Sequence, residues 1–220
     1  MAHRIDRVAA GKPLVFAAAL VPLGILAWRI HGNTLGPDPV AQLEHDTGLW
    51  ALRFLLVTLA ITPLRRLTGW SAALRFRRML GLFAFFYASV HLAVYLVVDL
   101  GGFWSQVLTE IAKKPFVTVG FLAWLLMIPL AATSTRSMMR RLGGLWQRLH
   151  RLVYVSGALA ALHFLWQVKY GKTIAAIEPV VYAGIFAMLM VARLPDWIRR
   201  SRQRRAAASG RVAPGRPLVQ

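Results

Sequence analysis

The chain has 220 residues, of which 57% are hydrophobic, carries a formal net charge of +19 and contains no cysteine. That apolar fraction exceeds what a soluble domain of this size can hide inside itself. The lack of cysteine excludes disulfides, iron–sulfur clusters, thiolate-bound metal and thioether-attached haem, so any cofactor is held by nitrogen, oxygen or packing alone.

Residues 1–12 form a basic N-terminal segment with Arg4, Arg7 and Lys12. Six apolar runs follow, at 13–30, 48–64, 79–98, 115–132, 149–168 and 174–192. Crossing a ~30 Å hydrocarbon layer takes ~20 helical residues at ~1.5 Å each. No strand-like alternation appears, and backbone amides in lipid must be satisfied without water, so helices are predicted. The first run is read as a retained span, because no small-residue cleavage site follows it. Pro22 and Pro129 fall inside spans, where neighbouring helices can absorb a kink. Between the first two runs, "HGNTLGPDPVAQLEHDTG" reads as a Pro/Gly-rich loop, and "DLGGFWSQVLTEIAKKP" includes a short interfacial helix. No internal repeat and no Gly-rich nucleotide loop is visible.

The cations follow a pattern. Of 27 Lys and Arg, 21 lie in residues 1–12, in the loop holding Arg65, Arg66, Arg75, Arg77 and Arg78, in the loop holding Arg136 to Arg151, and from Arg193 onward. The alternate loops hold only Lys113, Lys114, Lys169 and Lys172. Such alternation is the positive-inside signature, with both termini in the cytoplasm. Charge distributed by membrane side, and not gathered on one face, also argues against nucleic acid as a partner. The expectation is an all-α polytopic membrane protein: a cytoplasmic segment at 1–12, a six-transmembrane-helix bundle at 13–194, and a basic, disordered tail at 195–220 drawn to anionic membrane lipids.

Histidines inside such a bundle stand out. His91 lies 12 residues past Met79, ~18 Å into the layer, and His163 lies 14 past Leu149, ~21 Å in. Both spans run in the same direction, so the two imidazoles sit at nearly one level. His150 stands at the cytoplasmic mouth of the fifth span, ~20 Å below His163. A buried ionisable group in hydrocarbon points to function. A proton relay would need mid-depth carboxylates, and a bare metal ion would need further ligands; the spans offer neither. Haem iron needs only two axial nitrogens, and the inventory fits it best. The alternative is that the histidines hydrogen-bond to Ser89, Tyr87, Tyr95 or backbone. Thirteen residues at ~100° each put His150 and His163 on different sides of an ideal helix, so one straight stripe cannot hold both.

The segments "RRLTGW…RFRRMLGLFAFFYASVHLAVYL" and "WQRLHRLVYVSGALAALHFLW" resemble the ferric-reductase-like transmembrane family, and within it the haem-binding membrane subunits of bacterial periplasmic methionine-sulfoxide reductase systems. The likeness covers about residues 7 to 200. It implies a b-type cytochrome of the inner membrane, binding one or two molecules of haem b. Electrons would pass from a quinol or a reduced flavin to a soluble periplasmic molybdenum-containing methionine-sulfoxide reductase catalytic subunit. By position, His91 and His163 are the expected axial ligands of an outer haem and His150 a ligand of an inner one. Many members carry a second histidine on the third span, 13 or 14 positions before the outer one; here Arg78 and Arg77 stand there. The inner haem is then absent, asymmetrically ligated, or replaced by a flavin such as FMN near His150. Arginine suits flavin phosphate or haem propionate, and equally suits plain positive-inside anchoring. Arg53 is a candidate for an outer propionate, with snorkelling to headgroups as its alternative. His3, His31 and His45 are expected to be solvated. The chain ends soon after the sixth run, so electrons are expected from another protein, free flavin or quinol, with this chain an electron-transfer subunit and not the catalytic one. Other readings are a stand-alone metal or oxygen reductase, or a haem-free transporter or assembly scaffold.

Overall fold

The computed structural model describes residues 2–169, 177–194 and 198. Nine α-helices run through these: α1 (Ala2–His31), α2 (Pro39–Thr68), α3 (Arg77–Ala93), α4 (Trp104–Lys113), α5 (Pro115–Ala132), α6 (Arg136–Leu142), α7 (Gly144–Leu149), α8 (Leu152–Lys169) and α9 (Ile177–Val191). A 3-10 turn at Ser71–Arg75 precedes α3, and a π-helical turn at Val94–Asp99 extends it. The expected tail at 195–220 lies outside the described residues, apart from residue 198.

Among the described residues, four helical stretches are long and apolar enough to cross a membrane: Gly11–His31, Pro39–Thr68, Arg77–Asp99 and Pro115–Ala132. The chain is therefore an all-helical membrane protein. Of the remaining predicted spans, α8 covers most of the fifth, and the sixth includes α9, a shorter apolar helix of 15 residues. Much of α1 faces outward: Leu14, Val21, Ile25 and Trp28 are exposed, as suits a helix whose neighbour is lipid.

Local chemistry sets where α2 begins, and here the expectation from sequence is corrected. The stretch 39–47 is helix, not loop. Asp38 caps it, its Oδ1 accepting the Ala41 N–H at 3.0 Å, and Pro39 occupies the first turn, where its missing N–H costs nothing. Glu44, His45 and Asp46 are consequently helical, and Asp46 anchors α1 through a 2.8 Å ion pair with Arg29. The helix ends at Gly69, whose φ of 70° permits its N–H to reach the Arg65 carbonyl.

The fifth predicted span is also corrected. It is broken at residues 150 and 151 between α7 and α8, so His150 lies between two helices and not within one continuous span.

The tightest packing lies between α2 and α3. Leu59 and Ala84 are fully buried, and the ring of Phe54 stacks on Tyr87 at 5.3 Å and on Phe83 at 5.7 Å. Helix α8 packs chiefly on α5, so the bundle contains two hairpin-like helix pairs, α2–α3 and α5–α8, facing one another.

Candidate functional site

Two cavities lie between these pairs. The first, termed outer after the side that the cation pattern predicts for it, is about 220 Å³ and is bordered by His91 from α3, His163 from α8, Gly48 from α2 and Gly120 from α5, together with Trp124 and Met127. The inner one, about 790 Å³, is bordered by Arg77 and Arg78 of α3, His150, Arg151 and Tyr154 near the start of α8, and Met127 again. Leu55 and Met127 border both cavities and form the septum between them. The start of α3 and the start of α8 share the inner cavity, so these two helices run the same way.

The structure brings His91 and His163 together. Their ring centroids stand 6.2 Å apart with planes inclined at 71°. Each imidazole is oriented by backbone of the other helix in its pair. His91 Nδ1 donates to the Glu44 carbonyl at 2.9 Å, and His163 Nδ1 donates to the Phe116 carbonyl at 2.7 Å. A carbonyl can only accept, so each Nδ1 carries the proton and each Nε2 keeps its lone pair. Neither Nε2 makes a hydrogen bond among the described residues. The Thr47 hydroxyl adds a longer contact of 3.4 Å to His91 Nδ1. Of the alternative partners weighed from sequence, backbone of an adjacent helix is the one both imidazoles take. Ser89 Oγ donates to the Phe85 carbonyl and accepts from Trp124 Nε1, Tyr87 Oη bonds to Ala19 and Leu23, and Tyr95 Oη makes no hydrogen bond among the described residues.

Two glycines complete this arrangement, and sequence reading missed both. A Cβ at Gly48 would lie 3.1 Å from the His91 ring, and one at Gly120 would lie 2.7 Å from His163 Nδ1. The imidazoles occupy the space that any other residue's Cβ would need.

His150 sits apart, in the inner cavity, its ring stacked on Trp146 at 3.9 Å. Its Nδ1 donates to the Trp146 carbonyl at 3.1 Å, and the Leu130 backbone is a second hydrogen-bonding neighbour. Trp146 in turn donates from Nε1 to the Thr133 carbonyl, which fixes the short α7 against the end of α5. Arg77, Arg78 and Arg151 border the same cavity, and among the described residues its lining contains no carboxylate.

Arg53 is placed differently from the other sequence candidates. Its Nε donates to Tyr182 Oη at 2.7 Å and its guanidinium lies 4.8 Å above the Trp50 ring; it borders neither cavity. His45, expected to be solvated, instead borders the outer cavity and lies 3.2 Å from Glu178 of α9. Lys114, at the same end, pairs with Glu110 at 2.5 Å, and this bond raises its pKa above the ordinary lysine value. His31 follows the end of the first apolar run and is exposed; the side chain of His3 lies outside those described.

Fold and site define a helical membrane protein organised around a partly buried pair of imidazoles set close together with their planes steeply inclined. The family model of the ferric reductase like transmembrane component matches residues 47–162. The protein-methionine-sulfoxide reductase heme-binding subunit MsrQ of Xanthomonas euvesicatoria pv. vesicatoria is 54% identical over 223 residues, covering 99% of this chain and 100% of that one. That of Herminiimonas arsenicoxydans is 46% identical over 200 residues, 90% of each. The chain belongs to the ferric-reductase-like transmembrane family and, within it, to the MsrQ proteins.

Proposed function

We propose that this protein is the membrane subunit of a protein-methionine-sulfoxide reductase, a six-span b-type cytochrome of the bacterial inner membrane with both termini in the cytoplasm. It takes electrons from a quinol or a reduced flavin and delivers them outward to a periplasmic molybdenum-containing catalytic subunit that repairs oxidised proteins. Its relatives' description as the heme-binding subunit of a protein-methionine-sulfoxide reductase supports the class of cofactor and of partner.

The observation that carries the reading is the His91–His163 pair. A metal–imidazole bond is ~2 Å long, so two imidazoles on one metal, each with its own half-width, have centroids roughly 6 Å apart. The rings here stand 6.2 Å apart. Among the described residues no cluster of three or more His, Cys, Asp or Glu side chains converges, so the pair suits a group that brings its own equatorial nitrogens. Haem, when bound, supplies a one-electron iron carrier. His91 and His163 would hold it, one imidazole from each helix pair, and such a twofold ligation would favour electron transfer over oxygen activation. The Glu44 and Phe116 carbonyls fix the ring tautomers, while the apolar walls from α2 and α5 keep water from the iron's faces.

At the inner cavity His150 serves as a ligand or stacking partner, and Arg77 and Arg78 receive the phosphate of FMN or the propionates of a second haem. His150 is oriented as the outer pair are, its Nδ1 bonded to a backbone carbonyl, but no second histidine stands across the inner cavity among the described residues. The test is a visible and paramagnetic resonance spectrum of the purified full chain supplied with haem. A low-spin, two-imidazole signal is expected, lost in His91→Ala and in His163→Ala. A wild-type chain with no Soret band after haem supplementation would refute the reading, as would retention of the signal in both variants.

A further inference from the structure

The two imidazole sites are copies of one unit. In each, a helix carbonyl accepts from Nδ1 of a histidine 47 residues further on, and a glycine stands four residues after that carbonyl. Phe116, Gly120 and His163 each lie 72 positions after Glu44, Gly48 and His91. The helix pairs that carry them, α2–α3 and α5–α8, correspond in the same order. The repeat that sequence inspection did not reveal is thus present as geometry, reduced to three positions per copy.

The glycine has a specific reason to be there. In an α-helix the carbonyl of residue i is bonded to the N–H of residue i+4, but its oxygen keeps a second lone pair directed outward. Each Cα–Cβ bond tilts toward the helix N-terminus, so the side chain at i+4 leans back over that oxygen. Glycine at i+4 removes the cover. The ring atoms then approach to the distances seen: the Gly120 Cβ position lies 2.7, 2.8 and 3.0 Å from three atoms of the His163 ring, and that of Gly48 lies 3.1 Å from two atoms of His91. Real Cβ atoms essentially never stand closer than 3.0 Å, so at position 120 either the ring or the helix would have to move. At position 48 the neighbour would have to give by a few tenths of an ångström.

We propose that Gly48 and Gly120 are positioning residues that bare the Glu44 and Phe116 carbonyls, and that this paired bonding makes both imidazoles strong, fixed donors and holds the potential of the iron between them low. The inference rests on His91 and His163 being the ligands. Its chemistry follows from the bond itself: an Nδ1–H that donates to a carbonyl gives the ring partial imidazolate character and makes Nε2 more basic. A more basic ligand favours the ferric over the ferrous iron, which sets the potential at which electrons leave for the acceptor. Two matched bonds act on one metal, so weakening one bond shifts the potential and displacing one ring breaks the pair.

The experiment compares full-length wild type, Gly48→Ala, Gly120→Ala and, as a helix glycine with open space around it, Gly24→Ala. All are purified with haem and followed by redox titration and low-temperature paramagnetic resonance. Gly48→Ala is expected to keep a low-spin signal at a raised midpoint potential. Gly120→Ala is expected to lose most of the low-spin signal, and Gly24→Ala to match wild type. Thermal melting separates these effects from misfolding; if Gly120→Ala does not fold, Gly48→Ala decides alone, its contact being the milder. Wild-type potential and spectrum in Gly48→Ala, and in Gly120→Ala where folded, would overturn the inference while leaving the ligand assignment standing. A wild-type chain without the two-imidazole signal would instead remove the functional reading beneath it.

Discussion

The rings of Phe85 and Trp124 stack within 16° of parallel, centroids 6.3 Å apart, with Phe85 bordering the inner cavity and Trp124 the outer. The Trp124 indole is held by its bond to Ser89 Oγ, which is itself fixed to the Phe85 carbonyl. Electron tunnelling weakens steeply across gaps and less through packed atoms, so this stack is well placed beside the Leu55–Met127 septum. Trp124→Ala is expected to leave the two-imidazole spectrum in place and to slow electron arrival at the outer site from an inner donor by several-fold. Stopped-flow reduction by a reduced flavin measures this; an unchanged rate would assign the path to the septum alone.

The inner cavity makes a separate prediction. Among the described residues, three arginines and no carboxylate border it, so a bound group with phosphate or carboxylate substituents gains charge-assisted hydrogen bonds there. An Arg77→Gln, Arg78→Gln double variant should lose at least ~10-fold in affinity for FMN or for a second haem, since each charged hydrogen bond contributes ~1.5–3 kcal/mol. The His91–His163 signal should persist. Binding titrations of the purified protein, with the outer signal as an internal reference, distinguish loss of the anion site from loss of the fold.

Much of this was legible in the chain, and what was not has identifiable causes. The 115–132 run matches α5 because its start carries Lys-Pro and its interior is uniformly apolar. The level placement of His91 and His163 follows from counting residues along parallel helices, and the structure brings their ring centroids to 6.2 Å. The start of α2 was misread because Pro, Gly and acidic residues look like a loop, whereas Pro39 after Asp38 is a helix start. His45 reads from sequence as solvated; its approach to Glu178 joins α2 to α9, a tertiary fact with no local signal. Gly48 and Gly120 were invisible for the same reason, although a glycine inside an apolar helix is the trace such a close approach leaves. Arg53 carries one signal, a cation in a span, that fits two environments, and Tyr182 with Trp50 is the one it takes.

Membrane sidedness is open to a direct test because the native chain has no cysteine. The inner cavity gathers Arg77, Arg78 and Arg151, whereas Glu44, Asp99 and Lys114 border the outer one. Single cysteines at exposed Phe103 and at exposed Gly36 should react with a membrane-impermeant maleimide added to whole spheroplasts. Cysteines at exposed Leu67 and Leu145 should react only after the membrane is opened. The reverse pattern would invert the direction proposed for electron flow.

The last prediction concerns how α1 is held. Pro22 lacks an N–H and its ring crowds the preceding turn, which disturbs the helical bonding around it. Tyr87 of α3 serves that site: its Oη donates to the Ala19 carbonyl at 2.8 Å and accepts the Leu23 N–H at 3.2 Å. Residues 19 and 23 are the pair that would bond each other in an undisturbed helix, so one phenol stands in for both partners. Tyr87 is 1% exposed, so its two hydrogen bonds are shielded from bulk solvent. Tyr87→Phe keeps the ring stack on Phe54 but leaves a buried donor and acceptor unmet. It should therefore cost about 1–3 kcal/mol, read as a lowered melting temperature in detergent with the haem spectrum retained at low temperature. Pro22→Ala should offset part of that loss when combined with it, because the α1 ladder could then close on itself. A double variant no more stable than Tyr87→Phe would show that the phenol acts through packing and not through the two bonds.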